Sequence, residues 1–232
     1  MKTKDHFFKA VCTLAIPVAL QSMLQSSFSM VDQIMIGQLG EINVAGVGLA
    51  GKFASIYSVV ISAIGAVAGI MIAQYLGQKN RSEVRRSFFT NLLLGAGIAG
   101  MFMVICTLFP NQIMGAYTRD VQTRQAAAEY LMLISGTFVP MAGATLLSTL
   151  FRCLEKPRLP LYASILSALL NTSLNYIMIF GKLGISPMGV RGAAFATVIS
   201  QCANFLLMLL MLSKNGFLLK SNEREPTATL RM

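Results

Sequence analysis

The chain has 232 residues, 55% of them hydrophobic and 12% charged, about half the charged share of an ordinary soluble domain. Nineteen Lys and Arg against nine Asp and Glu give a formal net charge of +10. This composition excludes a water-soluble domain with a normal polar surface, and what the positive charge means depends on where it falls.

It falls in clusters separated by long uncharged runs. Between Lys9 and Asp32 lie 22 uncharged residues, between Lys52 and Lys79 lie 26, and between Arg86 and Arg119 lie 32. Later runs follow from Glu129 to Arg152, Arg158 to Lys182 and Arg191 to Lys214, with 22, 23 and 22 residues. About 20 apolar residues suffice for a helix to cross the hydrocarbon core. Each run therefore holds one span and none holds two, which predicts an all-α integral membrane protein built as a six-transmembrane-helix bundle. The spans are placed near 10–36, 46–74, 88–110, 124–149, 159–181 and 192–213. With a cytoplasmic N-terminus, 14 Lys and Arg lie on the inner side and four on the outer, with Lys52 near the start of the second span. That bias orients both termini to the cytoplasm. The basic charge then reads as an orientation signal, with the lipid bilayer as partner and no nucleic acid.

The first span runs into Asp32 without a small-residue cleavage site and is expected to remain in the mature chain. Within it Gln21, Gln25, Ser29 and Asp32 follow at spacings of four, four and three, forming one polar stripe on one helical face. Asp32 is the acidic residue singled out within a span. A carboxylate in hydrocarbon costs about 2.5–3.5 kcal/mol on insertion scales, so such a residue faces a protein interior or a wet cavity. Alternatively, Asp32 lies at the outer interface and simply ends the hydrophobic run. Pro17 in span one and Pro140 in span four are expected to kink their helices, as hinges or as fixed shape. The glycines from Gly95 to Gly100 fall in an apolar span, where small residues let helices approach closely.

Span five carries Ser164, Ser167, Asn171 and Asn175, and span six carries Thr197, Gln201 and Asn204. These stripes either bond neighbouring helices to one another or line a wet central cavity. The segment from Asp32 to Gly40 resembles that from Asn175 to Gly184, by chance or because two hairpins bring equivalent polar groups to one cavity. Tyr75, Tyr117, Tyr130 and Tyr162 are expected at the membrane interfaces. The four cysteines are far apart and read as packing residues, with no metal-ligand spacing. His6 is the only histidine, and no phosphate-binding glycine loop is present, so no enzyme site is expected. The tail over 214–232 is polar and expected to be disordered.

Several segments, in order, resemble the multidrug and toxic compound extrusion (MATE) transporters. They are Pro17; Met30-Val31-Asp32 with Ile36-Gly37-Gln38-Leu39-Gly40; Ala45-Gly46-Val47-Gly48; and Gln74-Tyr75-Leu76-Gly77. Asn171, Asn175 and Gly181 follow, then Gly189-Val190-Arg191-Gly192-Ala193-Ala194-Phe195-Ala196-Thr197. The resemblance implies a multi-pass protein of a bacterial-type inner or plasma membrane, an antiporter exporting amphipathic, often cationic compounds against H⁺ or Na⁺. It implies no cofactor beyond the coupling ion. Asp32 would take part in ion coupling, with Asn171, Asn175 and Thr197 lining the same cavity and Gln21, Gln25, Gln201 and Asn204 contributing further out. Some members carry an aspartate where Asn175 stands, so a second carboxylate is missing from this lobe. Family members contain two six-helix lobes, and this chain matches the amino-terminal lobe of a twelve-helix transporter. A carboxy-terminal lobe or a second copy is therefore an expected partner. A lipid-linked oligosaccharide flippase-like exporter and a non-transporting membrane assembly subunit are the alternative functions.

Overall fold

A computed structural model describes residues 2–184 and 186–214, with side chains from Cys12 onward except Leu14. Among the described residues there are eight α-helices, one 3₁₀ turn and no strand. They are α1 (Lys2–Gly37), α2 (Glu41–Gly77), α3 (Arg81–Leu108), α4 (Pro110–Gly115), α5 (Val121–Ile134), α6 (Phe138–Cys153), α7 (Arg158–Phe180) and α8 (Gly189–Lys214), with the 3₁₀ turn at Ser135–Thr137 between α5 and α6. The tail expected to be disordered lies outside the described residues from 215 onward.

Among the described residues, five segments are long and apolar enough to cross a membrane: α2, α3, α5 through α6, α7 and α8. The sixth rod, α1, has 36 residues, about 54 Å at 1.5 Å per residue. It carries the Gln, Ser and Asp residues of the polar stripe. Two helices start where a side chain supplies a missing acceptor. Asn80 caps α3 by accepting from the Glu83 N–H at 3.2 Å, and Asp120 caps α5 by accepting from the Thr123 N–H at 2.8 Å. The latter bond holds the exposed Asp120 carboxyl below the usual carboxylate range. Gly181 ends α7 in the left-handed conformation, at φ 67°, where a side chain would be strained.

The prolines behave differently. Helix α1 is continuous through Pro17. Pro140 offers no N–H to the Gly136 carbonyl and its ring crowds that group, and the chain tightens into the 3₁₀ turn around Gly136. The fourth span is thus two helices joined by a turn. Tyr57 of α2 pins this joint: its hydroxyl donates to the Phe138 carbonyl at 2.6 Å, and its ring stacks on Phe138 with centroids 4.2 Å apart.

Among the described residues the core lies in three clusters. One packs α2, α3, α5 and α6 around Tyr57, Leu131 and Phe138; the second packs α2, α3, α6 and α8 around Phe88, Leu147, Phe151 and Met208; a small third joins α1, α7 and α8 through Ile36, Ile179 and Ala193. Close approach between α7 and α8 depends on Gly192, where a Cβ would lie 2.7 Å from the Met178 carbonyl oxygen. The glycine run in α3 is less uniform than its sequence implies: Gly95 faces Leu146, whereas Gly97 and Gly100 face open space. Tyr130 departs from the interface expectation, being buried at 6% exposure. Leu93, Val59 and Met23 are 77%, 69% and 67% exposed, a surface suited to hydrocarbon rather than water.

Candidate functional site

Helix α1 lies against α7, and the polar stripes of the two helices meet. Near the end of α1, the half-buried Asp32 carboxylate accepts from Asn175 Nδ2 at 2.5 Å. One turn earlier on α7, Asn171 directs its amide nitrogen to both carboxylate oxygens, at 2.9 and 3.1 Å. The opposite amide orientation would set a carbonyl oxygen against the carboxylate, which repels it. On its other side Asn171 approaches Thr197 Oγ1 of α8 at 3.4 Å, and that hydroxyl donates to the Ala193 carbonyl at 2.9 Å. The candidate residues Asp32, Asn171, Asn175 and Thr197 therefore lie in one cluster, drawn from three helices. The two similar segments that begin at Asp32 and Asn175 converge here through their first residues.

The cluster is unusual in its charge balance. Among the described residues, no Lys or Arg pairs with Asp32, and its named donors are neutral amides. Asn175 Oδ1 is buried and has no partner, although buried polar atoms are ordinarily satisfied. An anionic carboxylate beside an orphaned amide oxygen is an oxygen-rich environment of the sort hard cations select. Tyr130 of α5 is buried, although a tyrosine near a span end looks like an interface anchor.

The remaining candidates separate. Gln21 is buried and donates to Ser164 Oγ at 2.9 Å, while its Oε1 accepts from Arg152 at 3.2 Å. Gln25 and Ser29 are exposed on the open face of α1. Gln201 is half-buried, and Asn204 is buried with an unpartnered Oδ1. Ser167 donates to the Ser200 carbonyl at 2.7 Å, so part of the α7 stripe serves to bond α8. A further pair unforeseen in the sequence is the ion pair of Arg191, at the start of α8, with Glu129 of α5. The two line a small cleft with Asn43, Tyr130 and Val190. The signal for them was present: Glu129 bounds an uncharged run, and Arg191 sits inside a family-like segment.

A bundle of membrane-length helices with a carboxylate on its polar seam defines a polytopic membrane protein with an internal ionisable site. The MatE family model matches residues 17–177, and the chain belongs to the MATE family. It is 31% identical over 201 residues to the probable multidrug resistance protein NorM of Thermotoga maritima, covering 83% of this chain and 42% of that protein. The probable multidrug resistance protein YoeA of Bacillus subtilis is 26% identical over 216 residues, covering 92% of this chain and 46% of the relative. The chain thus spans less than half the length of these relatives. Among solved structures, the outward-facing conformation of a multidrug resistance MATE family transporter superposes with a TM-score of 0.82 at 20% identity, over 90% of this chain and 46% of that one. A MOP superfamily transporter from Pyrococcus furiosus superposes with a TM-score of 0.81 at 21% identity, over 88% and 44%. These likenesses establish the fold as half of a MATE-type architecture.

Proposed function

We propose that the chain acts as the amino-terminal lobe of a multidrug antiporter, exporting amphipathic, often cationic organic compounds in exchange for H⁺ or Na⁺, without enzymatic chemistry of its own. The observation that carries this reading is the Asp32 carboxylate, held by two neutral amides beside an unpartnered amide oxygen. A carboxylate paired with Arg would stay ionised and committed. One held by amides can take up a proton or a sodium ion, and its release changes how strongly Asn171 and Asn175 hold α1 against α7. Substrate and ion sites in repeat-built transporters lie between the repeats, so the exposed polar face of α1, with Gln25 and Ser29, would meet a carboxy-terminal lobe or a second copy. The membrane would be a bacterial-type plasma membrane with both termini cytoplasmic.

The test uses dicyclohexylcarbodiimide, which modifies protonated carboxyl groups in apolar surroundings. Purified chain should be labelled at Asp32, detected by peptide mass. Slowing by Na⁺ at fixed pH, but not by choline, identifies sodium as the coupling ion; slowing only by raised pH identifies the proton. Absence of label at Asp32 would sink the reading. Ethidium efflux should need the chain together with the carboxy-terminal half of the Thermotoga maritima relative, and should be lost in Asp32→Asn.

A further inference from the structure

The bond from Gln21 to Ser164 and the bond from Asn175 to Asp32 each join residues 143 apart in the chain. The spacing along each helix is therefore the same: eleven residues from Gln21 to Asp32 on α1, and eleven from Ser164 to Asn175 on α7. Eleven residues make three helical turns with about 20° left over and a rise of about 16 Å. Two parallel helices joined by polar rungs at this interval are held at one rotation and one axial register. A slip of one residue turns each helix by about 100° and would break both rungs together.

The rungs are not equivalent. The Asp32 rung contains a group that gains and loses charge. The Gln21 rung contains an amide, a hydroxyl and the Arg152 guanidinium, and Arg stays protonated throughout the accessible pH range. Arg152 sits in the last turn of α6 and donates to the oxygen of the same amide whose nitrogen donates to Ser164. That arrangement fixes the Gln21 amide orientation and ties three helices at one point. Elsewhere α1 packs through apolar groups, Ile36 against Ile179 and Ala193, while Met23, Met30 and Ile34 face outward at 67%, 66% and 65% exposure. Apolar side chains facing lipid resist sliding little, because lipid tails are as apolar as they are.

We infer that Gln21, Ser164 and Arg152 are positioning residues: a permanent inner rung that keeps α1 in register on α7, so that Asp32 meets Asn171 and Asn175 again after each change of its charge. The inference rests on the proposed role of Asp32, but its test separates the two. In Gln21→Leu, Asp32 loses its aligned amide donors, which favour the ionised form, and carbodiimide labelling at fixed pH should quicken at least threefold. Gln21→Glu should restore the original rate, since a carboxylate accepts from both Arg152 and Ser164. Arg152→Met should quicken labelling in the parent chain and add nothing in the Gln21→Leu background. Thr107→Val, which removes a hydroxyl bonded within α3, should leave the rate unchanged. A folded Gln21→Leu protein labelled at the parent rate overturns the inference, as does a quickening in Thr107→Val or additivity of the Gln21 and Arg152 changes. Spin labels at Gln38→Cys and Lys182→Cys, with native cysteines replaced by Ser, read the register independently of Asp32 chemistry. Their distance distribution should be narrow in the parent and broadened in Gln21→Leu; an unchanged distribution is likewise fatal, whether or not Asp32 takes the label.

Discussion

Asp120 and Gly192 show how much one residue can decide in this chain. The Asp120 carboxylate accepts the Thr123 N–H at the start of α5, and its pKa is lowered from the ordinary 3.8 chiefly by that bond. A group with a depressed folded-state pKa adds stability above its unfolded value, and that stability is lost as pH falls through the folded one. The Asp120 contribution should therefore be constant above about pH 4 and decline below it. Asp120→Asn keeps an N-cap acceptor but cannot titrate, so Tm should fall less steeply from pH 4 downward than in the parent, as read by thermal melts in detergent. Gly192 is limited by space instead. The atoms a Cβ would meet, the Met178 carbonyl oxygen and carbon at 2.7 and 2.8 Å, are backbone and cannot step aside. Gly192→Ala should force α7 and α8 apart, at about 1–3 kcal/mol for overpacking, and show a lowered Tm. Unchanged melting would mean that the two helices separate freely.

At the scale of elements, the joint between α5 and α6 is where sequence and structure inform each other most. Pro140 announces a disturbance, and the 3₁₀ turn appears beside the carbonyl its ring displaces. What no local pattern announces is that Tyr57, 81 residues away, closes the joint through its hydroxyl and ring. Tyr57→Phe keeps the stacking and removes one buried hydrogen bond, so it should cost about 0.5–1.5 kcal/mol, seen as a lower Tm with unchanged helix content. The same contrast holds across the molecule. The helices were legible because uncharged runs of membrane length leave one answer; the polar stripes were legible as faces, but that Asn171, Asn175 and Thr197 share a site with Asp32 came only from the family resemblance. The burial of Tyr130 and the pairing of Glu129 with Arg191 were not legible, although both charges stood out in the sequence, because the partners come from distant helices. Gln25 belongs to the α1 stripe by spacing yet touches no part of the cluster: periodicity places a residue on a face without saying what covers that face.

For the whole molecule, the arrangement of helices fixes which loops share a side. With α5 and α6 as one crossing there are six rods, so the turn between α2 and α3 and the turn between α6 and α7 lie at one end, and the α3–α5 connection lies at the other. The first end carries Lys79, Arg81, Arg85 and Arg86 together with Arg152, Lys156 and Arg158; the second connection carries Arg119 and Arg124. Lys and Arg are retained on the cytoplasmic side during insertion, so the first end should face the cytoplasm. The exposed Gln78 and Ala116 mark the two ends. In a variant without native cysteines, Ala116→Cys should react with a membrane-impermeant maleimide in intact cells, and Gln78→Cys only after permeabilisation. The reverse pattern would place Asp32 near the cytoplasmic face and require ions to reach it from inside. The expected pattern places it near the outer face, about 16 Å beyond the Gln21 rung, where an inward ion gradient would load it first.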